Sequence, residues 1–491
     1  ASVPNVKNLI RTINSQTDDL TAVMLLGHIP VPYSGNFYAD GHSENHWGAW
    51  AADVFYADLD GTWTDNEVAN LSAAFPRNHN NPNDGKYDQS ALPSSADLQI
   101  GRVDFYDLPA FAQSEFDLMR QYLRKLHLFK TGQLEVRRTA LMDDNLGSVL
   151  GAPAASAYRN FAPMFGAENI VLGDYFTNMT DSSYLWSYGA GGGSHVSAAG
   201  VGNTDDFANS NLKNIFTMLC GSQFGDWDNT NNFLRAPLAG AGWTLTSCWV
   251  GNPPWTLHTM GQGYHLGHSL QQTQNASTND YDRGPQLVHT SLLGDPTLRL
   301  HSIKMPQNVT AVATENSIEI NWSASADSEV LGYYIYRQNP QNLQFERLTF
   351  ELLADLNFTD NNPHEYANDY LVKAVKLEQS GSGTYYNLSL GAAATAEFLT
   401  PVFECCPERL TRPTWSVYPN PNQGEMTIQS AGIGEYVKSP SVKEQPVRIY
   451  NYIGQLQREF FPDTKTNWTL KLPKGVYFIR WQEQVEQVIV Q

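Results

Sequence analysis

Two stretches of the chain place carboxylate and amide side chains around a glycine, and this spacing suits the binding of a hard cation. The stretches are residues 58–67 and 81–88, and their oxygen-bearing side chains belong to Asp58, Asp60, Asp65, Asn83, Asp84 and Asp88. Such oxygen atoms are ligands that Ca²⁺ prefers, and glycine permits the tight turn that gathers them. Neither stretch follows the full EF-hand order. The sequence therefore predicts at least one Ca²⁺ site, and the alternative is a pair of solvated turns built by the same side chains.

The thiol groups of the cysteines are a second source of chemistry. The chain has four of them, Cys220, Cys248, Cys405 and Cys406. Four are too few for a disulfide framework, and none has the spacing of a zinc site. Cys220 and Cys248 each end an apolar run typical of a buried strand, where a free cysteine is commonly a small apolar residue. For Cys220 a reactive thiol is an equally open interpretation, whereas Cys248 is expected only to pack.

The composition excludes several classes of partner. The chain has 50 Asp and Glu residues against 31 Lys and Arg, which gives a formal net charge of −19. Nucleic acids and anionic membrane surfaces both attract clustered basic residues, so neither is an expected partner. Since no run of about 18 apolar residues occurs, no transmembrane segment is predicted. A chain of 491 residues exceeds what one core accommodates, and three domains are expected.

The first part of the chain, up to residue 302, alternates strand-like apolar runs with helical spacing. Helices are predicted at residues 5–15 and 109–130, and strands at 22–26, 98–103, 139–142, 169–172, 214–219 and 243–247. This alternation predicts an open α/β sheet. No GxGxxG, Walker A or GxSxG motif accompanies it, so the signatures of nucleotide-binding folds and of plain hydrolases are missing.

The rest of the chain has the short alternating strands of all-β domains. Strands at 318–322, 332–337 and 370–375, with Trp322 pointing inward, predict a β-sandwich that resembles a fibronectin type III domain. The expected organisation is a multidomain chain, an open α/β sheet followed by two immunoglobulin-like sandwiches. Its predicted boundaries are 1–302 for the α/β domain, 303–400 for the first sandwich, 401–413 for a linker and 414–491 for the last domain.

Three motifs stand in order in the last domain. They are Tyr418-Pro419-Asn420-Pro421, a turn at Gly454 and a strand that begins at Gly475. Together they resemble the C-terminal sorting domain of the bacterial type IX secretion system, although the chain ends in Gln491, where a basic residue is common. The resemblance implies export through the outer membrane of a Gram-negative bacterium to the surface or medium. It also implies that residues 414–491 bind an outer-membrane translocon or a shuttle protein; an ordinary adhesive sandwich is the alternative.

Five stretches of the α/β part resemble gingipain-type, caspase-like cysteine peptidases. They are residues 22–28, 53–61 and 100–103, the strand that ends at Cys220, and 293–298. The resemblance implies a caspase-like fold with Cys220 at the position of the nucleophile. The position of the catalytic histidine falls on Ala190, whose methyl group cannot accept a proton, so the thiol lacks its base. The resemblance therefore implies a secreted domain that is no longer catalytic and has a binding or structural role. It also implies further chain before Ala1, either removed or carried as a separate partner.

An active cysteine endopeptidase remains the alternative, with His195 as a displaced base carried by the glycines at 191–193. Asp226 or Asp228 would then bind a basic side chain of the substrate, unless Asp228 instead caps a helix that runs through residues 233–234. The other nearby histidines, interpreted as structural, are His42, His46, His258, His265 and His268. A third interpretation is an adhesin whose exposed aromatic residues bind glycans.

Overall fold

A computed structural model shows two compact units, Ala1–Thr400 and Pro401–Gln491. The described residues are 2–17, 19–42, 46–147, 151–249, 255–276, 288–399, 415–418, 425–430, 446–451, 455–460, 467–481 and 484–490. The first unit contains both the α/β region and the first sandwich. The predicted division between these two parts, at residues 302 and 303, stays a prediction.

The α/β region contains eight α-helices, several of them short, within its described residues. They are α1 (Val3–Asn14), α2 (Val54–Ala57), α3 (Glu115–Lys130), α4 (Gly151–Phe165), α5 (Tyr175–Asp181), α6 (Thr204–Asn209), α7 (Ala236–Ala239) and α8 (Leu266–Asn275). Three 3₁₀ turns lie at Pro76–Asn78, Ala167–Asn169 and His258–Gln262. α3 begins later than the predicted residue 109, because the Ser114 hydroxyl accepts the Asp117 N–H and so caps the helix there.

The strands of this region are mostly short. They are β1 (Ala22–Leu26), β2 (Tyr33–Phe37), β3 (Gly48–Ala51), β4 (Gln99–Val103), β5 (Ala140–Asp144), β6 (Ile170–Leu172), β7 (Tyr184–Ala190), β8 (Gly193–Ser194), β9 (Ser197–Ala198), β10 (Gly202–Asn203), β11 (Asn214–Cys220), β12 (Thr246–Trp249) and β13 (Leu292–Gly294). Eight of them form one open sheet in the order β1-β4-β13-β12-β11-β7-β5-β6. The six predicted strands all belong to this sheet.

The sheet is mixed rather than uniformly parallel. β13 runs parallel to β4 and antiparallel to β12, while the pairs within β12-β11-β7-β5-β6 are all parallel. The segments that follow β1, β4 and β11 nevertheless meet, because the Tyr33 hydroxyl donates to Asp226 and the Arg102 guanidinium lies over the ring of Trp227.

Helices cover both faces of the sheet. On one face Trp186 of β7 stacks on Phe216 of β11 with ring centroids 5.0 Å apart, and Phe129 of α3 and Phe161 of α4 pack against this pair. On the other face the Tyr175 hydroxyl of α5 lies 2.7 Å from the hydroxyl of Thr217, the next residue of β11. Large aromatic side chains dominate the energy of such a core. These contacts hold β7 and β11 rigidly, and so fix the positions of their last residues, Ala190 and Cys220.

The predicted β-sandwich is confirmed. Its strands are β14 (Gln307–Ala313), β15 (Ile318–Ser323), β16 (Val330–Gln338), β17 (Phe345–Arg347), β18 (Asn357–Asp360), β19 (Tyr366–Ser380), β20 (Gly383–Leu388) and β21 (Ala392–Phe398). They form the sheets β14-β15-β18 and β17-β16-β19-β20, with β21 also paired to β19. Trp322 is buried against Tyr333, and the Tyr370 hydroxyl donates to Asp360 over 2.8 Å, which links the two sheets.

The sandwich and the α/β region are joined by polar contacts within the first unit. Arg138, just before β5, lies 2.6 Å from the buried carboxylate of Glu378 on β19. The Ser380 hydroxyl donates to the carbonyl of Gly261 over 2.8 Å. These contacts hold the end of β19 against the α/β region.

The second unit is also a sandwich. Its strands are β22 (Trp415–Tyr418), β23 (Glu425–Ser430), β24 (Val447–Asn451), β25 (Leu456–Phe460), β26 (Asn467–Lys471), β27 (Gly475–Trp481) and β28 (Gln484–Val490). They pair as β22-β23-β26 and β25-β24-β27-β28. Tyr418 ends β22 and Gly475 begins β27, whereas Pro419, Asn420, Pro421 and Gly454 lie outside the described residues.

Candidate functional site

Cys220 is the last residue of β11, and its partner in the neighbouring strand is Ala190, the last residue of β7. Both residues are buried, Ala190 completely and Cys220 with 5% of its surface exposed. The rigid strand pair therefore sets a methyl group beside the thiol-bearing residue. A proton acceptor is not supplied from this position.

The glycines after Ala190 allow a very close backbone approach. A β-carbon on Gly193 would lie 2.4 Å from the Ser222 nitrogen, and one on Gly191 would lie 2.0 Å from the carbonyl oxygen of Ala199. Glycine is required at both positions because any side chain would collide with backbone. As a result the β8–β9 hairpin packs directly on the loop that follows Cys220, and it carries His195 with it.

His195 points into a charged cluster. Its Nε2 lies 3.1 Å from Nη2 of Arg77 and 3.4 Å from Oδ2 of Asp226. The ring of Phe75 packs edge-on against the imidazole, with centroids 4.8 Å apart. The predicted displaced base is thus held between a guanidinium and a carboxylate.

Asp226 already holds a basic side chain from the same chain. Its buried carboxylate lies 2.6 Å from Nε of Arg77 and accepts the Tyr33 hydroxyl over 3.0 Å. Burial, reinforced by the negative charge of Asp226, raises the pKa of Tyr33 well above its usual value, so the phenol stays a donor. The cavity between Asp226, His195 and the surrounding aromatics measures about 10 Å³, room for about one water molecule.

Asp228 does not cap a helix, so that alternative is wrong. Residues 229–234, all described, form turns, and α7 begins only at Ala236. Asn231 has φ +51°, which a continuing helix does not permit. Burial raises the pKa of Asp228, while the charges of Arg235 and His28 oppose that rise. Asp226 is paired with Arg77, whereas Asp228 faces the charges of Arg235 and His28.

The two loops predicted to bind Ca²⁺ are residues 58–67 and 81–88, and their carboxylates accept backbone hydrogen bonds. Asp65 accepts the N–H groups of Asn83 and Gly85, both over 2.8 Å, and so ties the second loop to the first. Asp88 accepts the backbone N–H groups of Asn66, Glu67 and Val68 over 2.8–3.3 Å. Burial raises the pKa of this carboxyl, but the hydrogen bonds outweigh burial, so the pKa of Asp88 is lowered.

Asp58 and Asp84 in these loops also accept hydrogen bonds, whereas Asp60 is exposed. Asp58 is buried and accepts from Gly61 and the Trp63 indole, and Asp84 accepts from Asn81 and Lys86. Within the described ranges, no three His, Cys, Asp or Glu side chains converge closely enough to hold a metal ion, so a Ca²⁺ ion here would also need amide or carbonyl oxygens.

The structure brings together residues that the sequence left apart. The Ser222 hydroxyl lies 2.7 Å from Nε2 of His42, and Asp40 lies 2.5 Å from Nδ1 of His46. Gln223 donates its backbone N–H to Asp40 over 3.1 Å. The Asp40, His42 and His46 spacing was visible in the sequence, but nothing local pointed to a serine 180 residues later.

Comparison with known proteins bears on the second unit. Residues 416–491 match the family described as a secretion system C-terminal sorting domain. This confirms the prediction for the last domain. The chain is therefore a cargo of the type IX secretion system, carried through the outer membrane to the cell surface or the extracellular space. Its sorting domain interacts with the secretion machinery.

Comparison with other proteins adds little. No curated protein matches the chain. Among solved structures, a Fn3-like protein from Clostridium thermocellum is 20% identical, covering 19% of this chain and 90% of that one at a TM-score of 0.15. A segment of two fibronectin type III domains from chicken tenascin is 13% identical, covering 38% and 99% at a TM-score of 0.16. Scores this low establish no fold, and the sandwich assignment depends on the described strands alone.

None of the helices in the described part of the chain is both long and apolar enough to span a bilayer.

Proposed function

We propose that this secreted cargo carries a gingipain-like α/β domain that does not act through Cys220 and that serves a binding or structural role outside the cell. The fibronectin type III-like sandwich extends this domain, and the last domain directs export. The observation that carries the proposal is the register of β11 and β7, in which Cys220 is paired with Ala190. A cysteine peptidase needs a base within hydrogen-bond reach of the thiol, and alanine supplies none.

The surroundings of His195 and Asp226 support the same proposal. A displaced base must be free to take the thiol proton, yet His195 is held by Arg77 and Asp226. A pocket for a basic substrate side chain must be open, yet Arg77 occupies Asp226 and the adjoining cavity has room for about one water molecule. Catalysis by the alternative route would require Arg77 to leave this cluster.

Alkylation of Cys220 by iodoacetamide tests the proposal. In the folded protein Cys220 is expected to react about tenfold or more slowly than in the unfolded chain, because reaction requires local opening of a buried strand. Peptide-resolved mass spectrometry separates Cys220 from the other thiols, with Cys220→Ala as the blank and Cys248→Ala as a buried-thiol control. Fast labelling at low pH would instead favour the endopeptidase that uses Cys220 and His195.

We also propose one Ca²⁺ ion at the paired loops around Asp65 and Asp88. Support comes from the oxygen-rich composition of both loops and from the backbone hydrogen bonds that hold them together. Removal of Ca²⁺ with EGTA is expected to lower the thermal unfolding midpoint. The stability lost is about 2.7 kcal/mol if free Ca²⁺ had been about 100 times Kd. Readdition of excess Ca²⁺ should restore it, and an unchanged midpoint would contradict the proposal.

A further inference from the structure

Ser222 and His42 form a hydroxyl–imidazole pair at the surface of the first unit. The distance from Ser222 Oγ to His42 Nε2 is 2.7 Å, within the range of a serine that gives its proton to a histidine. His42 is exposed and Ser222 is partly exposed, so a substrate can reach both. The pair lies just beyond the end of β11, two residues after Cys220.

The loop that carries Ser222 is held from both sides. Gln223, the next residue, has φ +67°, a backbone conformation that non-glycine residues seldom adopt and that clusters at functional sites. Its N–H is fixed by Asp40, which also accepts the backbone N–H of His42 over 3.2 Å. One carboxylate therefore positions the turn of the serine and the segment of the histidine together.

The second histidine strengthens this arrangement. Asp40 lies 2.5 Å from Nδ1 of His46, and the side-chain amide of Gln223 lies 3.2 Å from Nε2 of the same ring. The rings of His42 and His46 lie against each other, with centroids 5.1 Å apart. His42 is thus backed by an imidazole that is itself anchored at both nitrogens.

An exposed aromatic pair flanks these residues in the chain. Tyr38 and Trp47, with ring centroids 4.9 Å apart, expose 38% and 37% of their surfaces. Tyr38 lies two residues before Asp40, and Trp47 directly follows His46. Exposed apolar surface rimmed by polar groups is typical of a binding site, and this pair suits a flat apolar group.

We propose that Ser222 and His42 are the nucleophile and general base of a hydrolytic site for carboxylic esters with an apolar acyl group. Ser222 Oγ attacks the carbonyl carbon while its proton passes to His42 Nε2. The carbonyl re-forms, the bond to the alkoxy oxygen breaks, and His42 returns the proton to the leaving alcohol. Water then attacks the acyl-serine while His42 accepts its proton. The bond between the acyl carbon and Ser222 Oγ breaks, His42 returns the proton to Oγ, and the carboxylic acid leaves. Asp40 and His46 are positioning residues.

This inference goes beyond a binding role and does not depend on the state of Cys220. A fluorophosphonate probe, which phosphonylates activated serines, is the direct test on the full chain. Labelling is expected at Ser222, located by peptide mass spectrometry, and is lost in Ser222→Ala. His42→Gln should slow labelling by about a hundredfold or more, the usual effect of removing a general base. Hydrolysis of p-nitrophenyl phenylacetate should fall in parallel.

Ser194→Ala is the matched control, because its hydroxyl pairs with Ser197 in the neighbouring hairpin and takes no part in the proposed chemistry. It should label like the original chain, and circular dichroism should show every variant folded. Trp47→Ala should weaken hydrolysis of the phenylacetate ester more than that of the acetate ester. Absence of labelling on the folded chain, or labelling that survives in Ser222→Ala or proceeds at full rate in His42→Gln, overturns the proposal. Iodoacetamide reports on Cys220 separately, so failure of one idea is distinguishable from failure of the other.

Discussion

Replacing Asp53 by alanine is expected to destabilise the first unit by about 3–5 kcal/mol, because the buried guanidinium of Arg102 loses its bidentate carboxylate and the next one, Asp104, lies 4.0 Å away. Arg102 on β4 is fully buried, and its Nε and Nη2 lie 2.7 and 2.8 Å from the two oxygens of Asp53. Nη1 also donates to the carbonyl of Ile29 over 2.6 Å, so the arginine ties β4 to the loop after β1. The guanidinium lies over the ring of Trp227 as well.

Urea unfolding of the first unit measures this effect, with Asp117→Ala as the comparison. Asp117 pairs with Arg120 on the outside of α3, where both side chains are more than half exposed, and such pairs contribute about 0–1 kcal/mol. An equal effect of the two substitutions would mean that the Arg102–Asp53 pair is accessible to water. Replacing both Asp53 and Arg102 by apolar residues should cost less than Asp53→Ala alone, since the buried guanidinium is then gone and the neighbouring Asp104 keeps His28 and Arg235 as partners.

Acid is expected to unfold the first unit through two buried histidines. Burial lowers the pKa of both His289 and His301 to about 3. Because the folded pKa lies below that of the unfolded chain, the unfolded state binds protons first as the pH falls below about 6.5. Stability is therefore lost between about pH 6.5 and about pH 3, at about 1.4 kcal/mol per pH unit for each histidine. At pH 4.5 the two together cost about 5 kcal/mol.

His289→Leu separates this cause from general acid effects. The imidazole packs between Phe37 and Trp249, and neither ring nitrogen has a hydrogen-bond partner in the described part of the chain. Leucine should therefore be tolerated at neutral pH and should remove about half of the loss that His289 and His301 together cause. His127→Gln, at an exposed position of α3, should leave the dependence unchanged. The test is to measure the unfolding midpoints of the original chain, His289→Leu and His127→Gln across pH 4–7. Parallel curves for the three proteins would contradict the role of His289.

Much of the fold was readable from the sequence because its elements are encoded locally. Continuous apolar runs predicted β1, β5 and β11, and period-two alternation predicted β15 and β16. The three-residue strand β13 and its direction were not predictable, since so short a segment has no periodicity and its pairing is set by tertiary packing. The end of β11 at Cys220 was predicted, whereas β7 and its pairing of Ala190 with Cys220 were not, because they depend on the assembled sheet.

The candidate site was less predictable because its contacts are long-range. Arg77 and Asp226 are 149 residues apart in the chain, and His42 and Ser222 are 180 apart. Residue types marked Asp226 as a possible ligand for a basic group, and the structure shows that group to be the chain's own Arg77. Ser222 carried no motif of its own, so only the fold could bring it to a histidine.

The position of β13 governs when the large sheet can be completed during synthesis. β13 lies between β4 and β12 and is the last strand of the sheet to appear in the chain, at residues 292–294. A nascent chain that ends before it holds two incomplete half-sheets, each with an edge that can pair with the wrong partner. The sheet can therefore be completed only when β13 pairs with β4, which lies nearly 200 residues earlier in the chain. This favours slow, late assembly over stepwise folding from the N-terminus.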